Sequence, residues 1–313
     1  MSTAIFEQAG IEIYDAKDSL DALQQAELDW EVEKRDLYYE KNTAYYLLLA
    51  SQKYNKIPEY QGNFRVDTNQ FLGVSTNRYN ILQNREAFSI LDNLKDFNFI
   101  KGGTVSKSKK VYLIGDSNND FYIDGKTDRV KLYYTFIHGH DGKNGIKFLI
   151  SPMRMACTNQ LNYILKHTDF KFTFSHTGNL INKMQVLVNL TNKAHNYTAE
   201  LQQEIQRQLN NKINFNVENM LSNHLFKIED TDSKKVLQDK EQAVVTILNL
   251  YNNKPDLQNY KGTEFGIISA ISDYTSHKEP LRKTKTYYDT ALIKMLEGSE
   301  IIEQARKYIA DVA

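Results

Sequence analysis

The chain has 313 residues, 41% of them apolar and 25% charged, which is the make-up of a globular protein with a substantial core. Basic and acidic residues number 39 each, so no global field draws in nucleic acid or acidic lipid, and any polyanion site has to be a local patch. The single cysteine excludes an intramolecular disulfide framework and a multi-cysteine zinc site and fits a reducing cytoplasm, and no apolar run reaches the roughly 18 residues of a membrane span.

In chain order, residues 1–30 read as an N-terminal arm. It lacks a basic n-region, so no secretory leader is expected. Leu20, Leu23, Ala26 and Leu28 outline a short helix capped by Asp18 or Ser19. From Trp30, WEVEKRDLYYE alternates as a strand does, and AYYLLLA at 44–50 is a second strand or a buried helical turn. Residues 64–82 read as a hairpin turning at Asp67-Thr68-Asn69. A helix follows from about Asn84, with Ala87, Phe88, Leu91 and Leu94 on one face. Gly102-Gly103 reads as a turn. Residues 104–150 then form a β-meander punctuated by Asn118-Asn119, Asp124-Gly125 and Asp141-Gly142. A helix is expected from Pro152 to about Lys166 and a strand over 170–176. Helical spacing covers 179–229, 238–252, 264–275 and 287 to the end. The fold class is α+β: an antiparallel β-meander packed with helices over 31–178, then a mainly helical region over 179–313. No internal repeat or low-complexity linker divides them.

The stretch from His138 to Leu161 is the part least explained by folding alone. His138 and His140 fall on one face of an extended strand. With Asp141, His176 and Cys157 they are candidates for a metal site, which needs three or four converging ligands. The spacing departs from the metallohydrolase pattern, and Gly142 stands where no ligand is possible. The competing reading makes Asp141-Gly142 a hairpin turn with hydrogen-bonded histidines beside it. Cys157 is a candidate nucleophile if His176 serves as base and Asn159 orients it, or else a small buried cysteine. Arg154, expected in the first turn of a helix where the dipole disfavours a cation, calls for a carboxylate such as Asp141 or a bound phosphate. Phosphate-loop, dinucleotide and nucleophile-elbow motifs are absent, so the sequence implies no cofactor.

Basic residues cluster instead. Lys107, Lys109 and Lys110 follow Lys101 closely, and Arg129 and Lys131 lie on the next strand, with Tyr112, Tyr122, Tyr133 and Tyr134 interleaved. Lysines that track phosphates and tyrosines that stack on bases make a surface for single strands without sequence preference. The plainer alternative is a solvated lysine-rich hairpin.

Several ordered segments resemble a family of phage- and plasmid-encoded proteins catalogued as a domain of unknown function. They are Leu72-Gly73-Val74 with Tyr79; Gln83-Asn84-x-Glu86-Ala87-Phe88; His140-Asp141-Gly142; Ser151-Pro152-Met153-Arg154-Met155-Ala156-Cys157-Thr158-Asn159-x-Leu161; His176-Thr177; and Gly262-Thr263 through Ala270, Asp273-Tyr274 and His277. The resemblance covers most of 30–280. It departs at Ser75-Thr76, where the family often has a glycine, and around Arg154, where methionines replace valines. It implies mobile-element biology and no reaction. At the level of fold, the unit looks like the core of phage single-strand annealing recombinases. That likeness implies a non-catalytic, single-stranded-DNA-binding protein of recombination or replication, a homo-oligomeric ring or filament in the host cytoplasm, working beside host or phage replication proteins. Lys107, Lys109, Lys110, Arg129, Lys131 and Arg154 would then meet phosphate, and Tyr112 and Tyr133 would stack. Two alternatives stand beside it: a metal- or thiol-dependent enzyme using His138, His140, Cys157 and His176, and an anti-defence protein that binds a host factor.

Overall fold

The structure, a computed structural model, describes residues 8–40, 54–94, 97–117, 120–125, 127–155, 159–160, 171–176, 194–278, 285, 287–297 and 299–312. Two antiparallel sheets and a set of helices form it, so the α+β expectation holds. The large sheet contains β1 (Ile11–Glu12), β5 (Phe97–Val105), β6 (Lys110–Ser117), β8 (Arg129–Gly139), β9 (Ile146–Arg154) and β10 (Asn159–Gln160), in that spatial order. Two short strands complete it: β7 (Phe121–Tyr122) pairs with β8, and β11 (Lys171–Phe174) with β9. The small sheet is β2 (Val32–Glu40), β3 (Tyr54–Arg65) and β4 (Phe71–Thr76), in chain order.

Helices cover both faces of the large sheet. On one face Val111, Leu113, Leu132, Phe136, Phe148 and Ile150 join a core with α1 (Ser19–Gln25) and α2 (Asn84–Phe88). The same core takes in side chains of α3 (Ala194–Asn210), α4 (Val217–Asn219, continuing as a π turn over Met220–Leu225), α5 (Lys234–Asn253), α6 (Glu264–Asp273) and α8 (Glu300–Val312). On the other face Tyr112, Ile114, Tyr133, Ile137, Leu149 and Met153 pack with Ala291, Leu292 and Ile293 of α7 (Tyr287–Glu297). The helical region expected over 179–313 therefore shares its core with the sheet. The described part of the expected arm is likewise no loose segment: Ala22, Leu23, Ala26 and Leu28 are core residues, and β1 pairs with β5.

Two expectations are corrected. Gly102-Gly103 lies inside β5. A Cβ at Gly102 would sit 2.6 Å from that of Ala26, so the glycine is there for close approach of α1. The real turn is Ser106–Lys109, where Ser106, Lys107 and Ser108 have φ of 57°, 59° and 61°. Three successive left-handed residues other than glycine give no sequence signal. The helix expected from Pro152 is strand as far as Arg154, with Leu132 in register with Pro152 and Val130 with Arg154. A strand buried on both faces reads as a continuous apolar run, which periodicity does not separate from a helix. Further along the same expected helix, Asn159–Gln160 is strand β10, paired back on Arg154 and Met153 of β9. The expectation for 44–50, residues 156–158 and 161–166 of that helix and the 179–193 segment lie outside the described residues, as does Cys157.

Candidate functional site

The family-like segments, scattered in sequence, meet where the two sheets touch. The β8–β9 hairpin turns at Asp141-Gly142 as expected. Asp141 Oδ1 accepts from the backbone N–H of Lys143 (2.9 Å) and Asn144 (2.8 Å), and Gly142 has φ +75°. Strand β4 lies directly on this turn. A Cβ on Gly73 would collide with the Asp141 carbonyl, and one on Gly142 with the Val74 carbonyl. Asn63 Nδ2 donates to the His140 carbonyl (2.8 Å), Ser75 Oγ to Asn63 Oδ1 (2.8 Å), and Tyr79 Oη to the Gly139 carbonyl (3.0 Å). Leu-Gly-Val and His-Asp-Gly are thus two halves of one junction. Gly73→Ala is expected to destabilise the protein by about 1–3 kcal/mol through overpacking, read as a lower urea midpoint. An unchanged midpoint would mean that the strand and the turn are not in backbone contact.

Behind the junction His138, His140 and His176 are all buried. Ring centroids lie 4.3 Å apart for His138 and His140, and 5.0 Å for His138 and His176. Trp30 packs on His140 and Tyr79 stacks on His176. Hydrogen bonds fix the tautomers. His138 Nε2 donates to the Leu82 carbonyl (2.7 Å). Asn84 Nδ2 donates to the Leu28 carbonyl, so its Oδ1 accepts from His140 Nε2 (2.8 Å). Nδ1 of His138 and of His140 has no hydrogen-bond partner. Burial, reinforced by the neighbouring rings, pushes His138 well below the ordinary histidine range and His140 down to about 3. Both are neutral at pH 7. Among the described residues no group of three or more His, Cys, Asp or Glu is disposed to hold a metal ion. Rings this enclosed offer no face to a substrate, so the cluster acts as a packed joint rather than an open site.

Arg154 is 2% exposed and belongs to a second network. Its Nε donates to Asp128 Oδ1 and Oδ2 (2.8 and 2.7 Å), one terminal nitrogen to Asp256 Oδ2 (2.9 Å), and the other to the Asp256 carbonyl (2.7 Å). Tyr260 Oη donates to Asp128 Oδ2 (2.6 Å), and its ring lies under the guanidinium. Lys254 pairs with Asp256 and Asp273. The carboxylate alternative for Arg154 is the one the geometry realises, but with Asp128 and Asp256 in place of the expected Asp141, whose carboxylate caps its own turn.

The remaining sequence candidates divide. Tyr112 is 0% exposed and donates to Asp289 Oδ1 of α7 (2.7 Å); Tyr133 is 4% exposed, and burial holds its hydroxyl up at about 12. Neither ring can stack on a base. Arg129 pairs with Asp120, and Lys131 with Asp116. The antiparallel register sets Lys110 opposite Gly139, so Lys131, eight residues back along β8, is about 26 Å from it along the sheet. The basic strands pair, but their charges lie at opposite ends. Only the Ser106–Lys109 turn and Lys110 keep theirs. Lys107 and Lys109 have no ion pair among the described residues, and Lys110 faces the field of Asp141.

A surface that the sequence reading passed over adjoins that turn. On the outer face of the small sheet Tyr60, Phe71 and Val74 are 45%, 46% and 41% exposed, with Phe64 half-buried between them. Phe64 and Phe71 have centroids 5.3 Å apart, and the Arg35 guanidinium lies 4.8 Å over Phe64. Gln70 Nε2 donates to the Lys107 carbonyl (2.8 Å), so the start of β4 touches the lysine turn. Alternation could not have grouped them: Phe71 and Val74 are three residues apart and share a face only because the β3–β4 register shifts between Asn63 and Phe64.

No helix of the described residues is long and apolar enough to cross a membrane. No curated protein and no solved structure matches the chain significantly. The family described as Domain of unknown function (DUF932) matches residues 71–296, well over half of the chain and spanning both buried networks, and the protein belongs to that family.

Proposed function

We propose that this protein binds single-stranded nucleic acid without catalysis, as a phage-type annealing protein of recombination or replication that works as a homo-oligomer. One observation carries the reading. The Lys107–Lys110 turn is the one part of the expected basic set whose charge is not cancelled by a bonded carboxylate, and it stands at an exposed end of the large sheet. Lys143, on the neighbouring hairpin turn, adds to it. Phosphate binding by uncompensated lysines releases counterions and is steeply salt-dependent. The test is fluorescence anisotropy of a labelled oligothymidylate at several salt concentrations, with light scattering for assembly. Lys107→Glu with Lys109→Glu should weaken binding and reduce the salt slope by about two. Binding by this variant that matches wild type in affinity and slope would remove the turn from the site, and no binding by wild type at low salt would end the proposal.

A further inference from the structure

The outer face of the small sheet has a floor made by one glycine. Gly62 on β3 is in register with Val74 on β4 and Arg35 on β2. A Cβ there would lie 2.6 Å from Phe64, 3.1 Å from Leu37 and 3.3 Å from Phe71. The absent side chain lets Phe64, Leu37 and Phe71 close over the backbone, with Val74 and Tyr60 on the same face. The rings are held firmly. Phe64 is clamped between Phe71 and the Arg35 guanidinium, and Arg35 is in turn fixed by Glu33 and by a bond to Asn69 Oδ1 (2.9 Å). Exposed Tyr60, Phe71 and Val74 gathered around a half-buried Phe64 are costly in water and mark a contact surface. Its neighbours decide the partner. Beside Phe71 stands the turn carrying Lys107, Lys109 and Lys110, bonded to β4 through Gln70, and Lys143 follows on the hairpin packed against Val74. Rings in the middle with a lysine rim on one side match bases with their phosphates, since every base has a face to stack and every phosphate a charge to neutralise.

We propose that this face is a base-stacking platform for single-stranded nucleic acid, in which the exposed Phe71 ring, backed by Phe64, stacks on a base while the Lys107–Lys110 turn meets the backbone. The inference rests on the single-strand reading and adds to it where the bases lie. Cross-linking of wild-type protein with an oligothymidylate carrying 5-iodouracil, followed by peptide mapping, should place the adduct on Phe64, Phe71 or Tyr60. This readout needs no variant. Replacing Phe64 and Phe71 together by Leu keeps apolar packing and removes both rings. The double variant should bind the oligonucleotide about tenfold or more weakly, with the salt slope unchanged because no charge is lost. Wild-type binding that is salt-sensitive, with adducts elsewhere and a double variant of wild-type affinity, overturns the platform and leaves the single-strand reading intact. Absence of wild-type binding overturns both. A double variant with altered mass in light scattering and unaltered affinity also overturns the platform, because the face would then join copies of this chain.

Discussion

Arg154→Met is expected to cost about 3–5 kcal/mol of stability, the largest single loss outside the apolar core. The guanidinium is buried and bonded on three sides. Removing it leaves the Asp128 carboxylate, itself 7% exposed at the side chain, without a counter-charge in the interior. The cost lies in that stranded charge more than in the lost attraction. Two controls separate these terms. Arg154→Met combined with Asp128→Leu should recover part of the loss, since a matched apolar pair replaces a broken ionic one. Asp128→Asn alone should be less severe than Arg154→Met, because the amide still accepts from the tyrosine and carries no charge to strand. Urea midpoints across this cycle measure the coupling. An Arg154→Met protein within about 1 kcal/mol of wild type would mean that the network is dispensable. The same variant discriminates between the roles open to Arg154 from sequence. A phosphate-binding arginine would lower the salt slope of DNA binding by about one with stability untouched. The interior arginine does the reverse.

That network also explains why its members were hard to find. Arg154 invites a partner by being charged in an apolar stretch, and a carboxylate was one of the two expected. The partner's identity was not readable: Asp256 is 102 residues away and arrives on the link between α5 and α6. Tyr112 and Tyr133 failed as stacking residues for a related reason. Alternation places them on one face of the sheet, as expected for strands, but α7, more than 170 residues beyond Tyr112, covers that face. An alternating strand looks half-exposed until the element that caps its second face is known. The hairpins at Asp124-Gly125 and Asp141-Gly142 were legible because their signals are local: Asp side chains cap their own turn and Gly takes positive φ. The Ser106–Lys109 turn has no such residue and was read as strand interior. The lysines looked like one patch because sequence proximity says nothing of direction along antiparallel strands.

The histidine cluster predicts a steep loss of stability in mild acid. His138 and His140 are neutral in the fold, each giving its only N–H to an oxygen, and a second proton would create a buried donor on Nδ1 with nothing to receive it. The surroundings do not rescue it. His176 on one side repels a charge, and Tyr79 stacked on His176 stays neutral. Asp141 favours a charged His140, but its carboxylate already accepts from Lys143 and Asn144 and feels Lys110. In the unfolded chain both histidines titrate near 6.5, whereas folded His140 titrates near 3 and His138 well below its ordinary range. Between those limits the unfolded state binds protons that the folded state does not, so this contribution is complete above about pH 6.5 and lost as the pH falls. His140 alone removes about 1.4 kcal/mol per pH unit across this window, so two units of acid cost about 3 kcal/mol, and His138 adds to the loss in the same direction. The carboxylates held below their normal range lose their contribution only below about pH 4, outside this window. Urea unfolding from pH 7.5 to 4.5 should therefore show a midpoint that falls steeply below 6.5, and His140→Asn should roughly halve the slope. A midpoint flat between pH 7 and 5 would mean that the rings find water or an acceptor when protonated. Because the His140 and Gly139 carbonyls accept from Asn63 and Tyr79, the junction between the two sheets should open with the cluster, and amide exchange of β4 should accelerate with it on acidification.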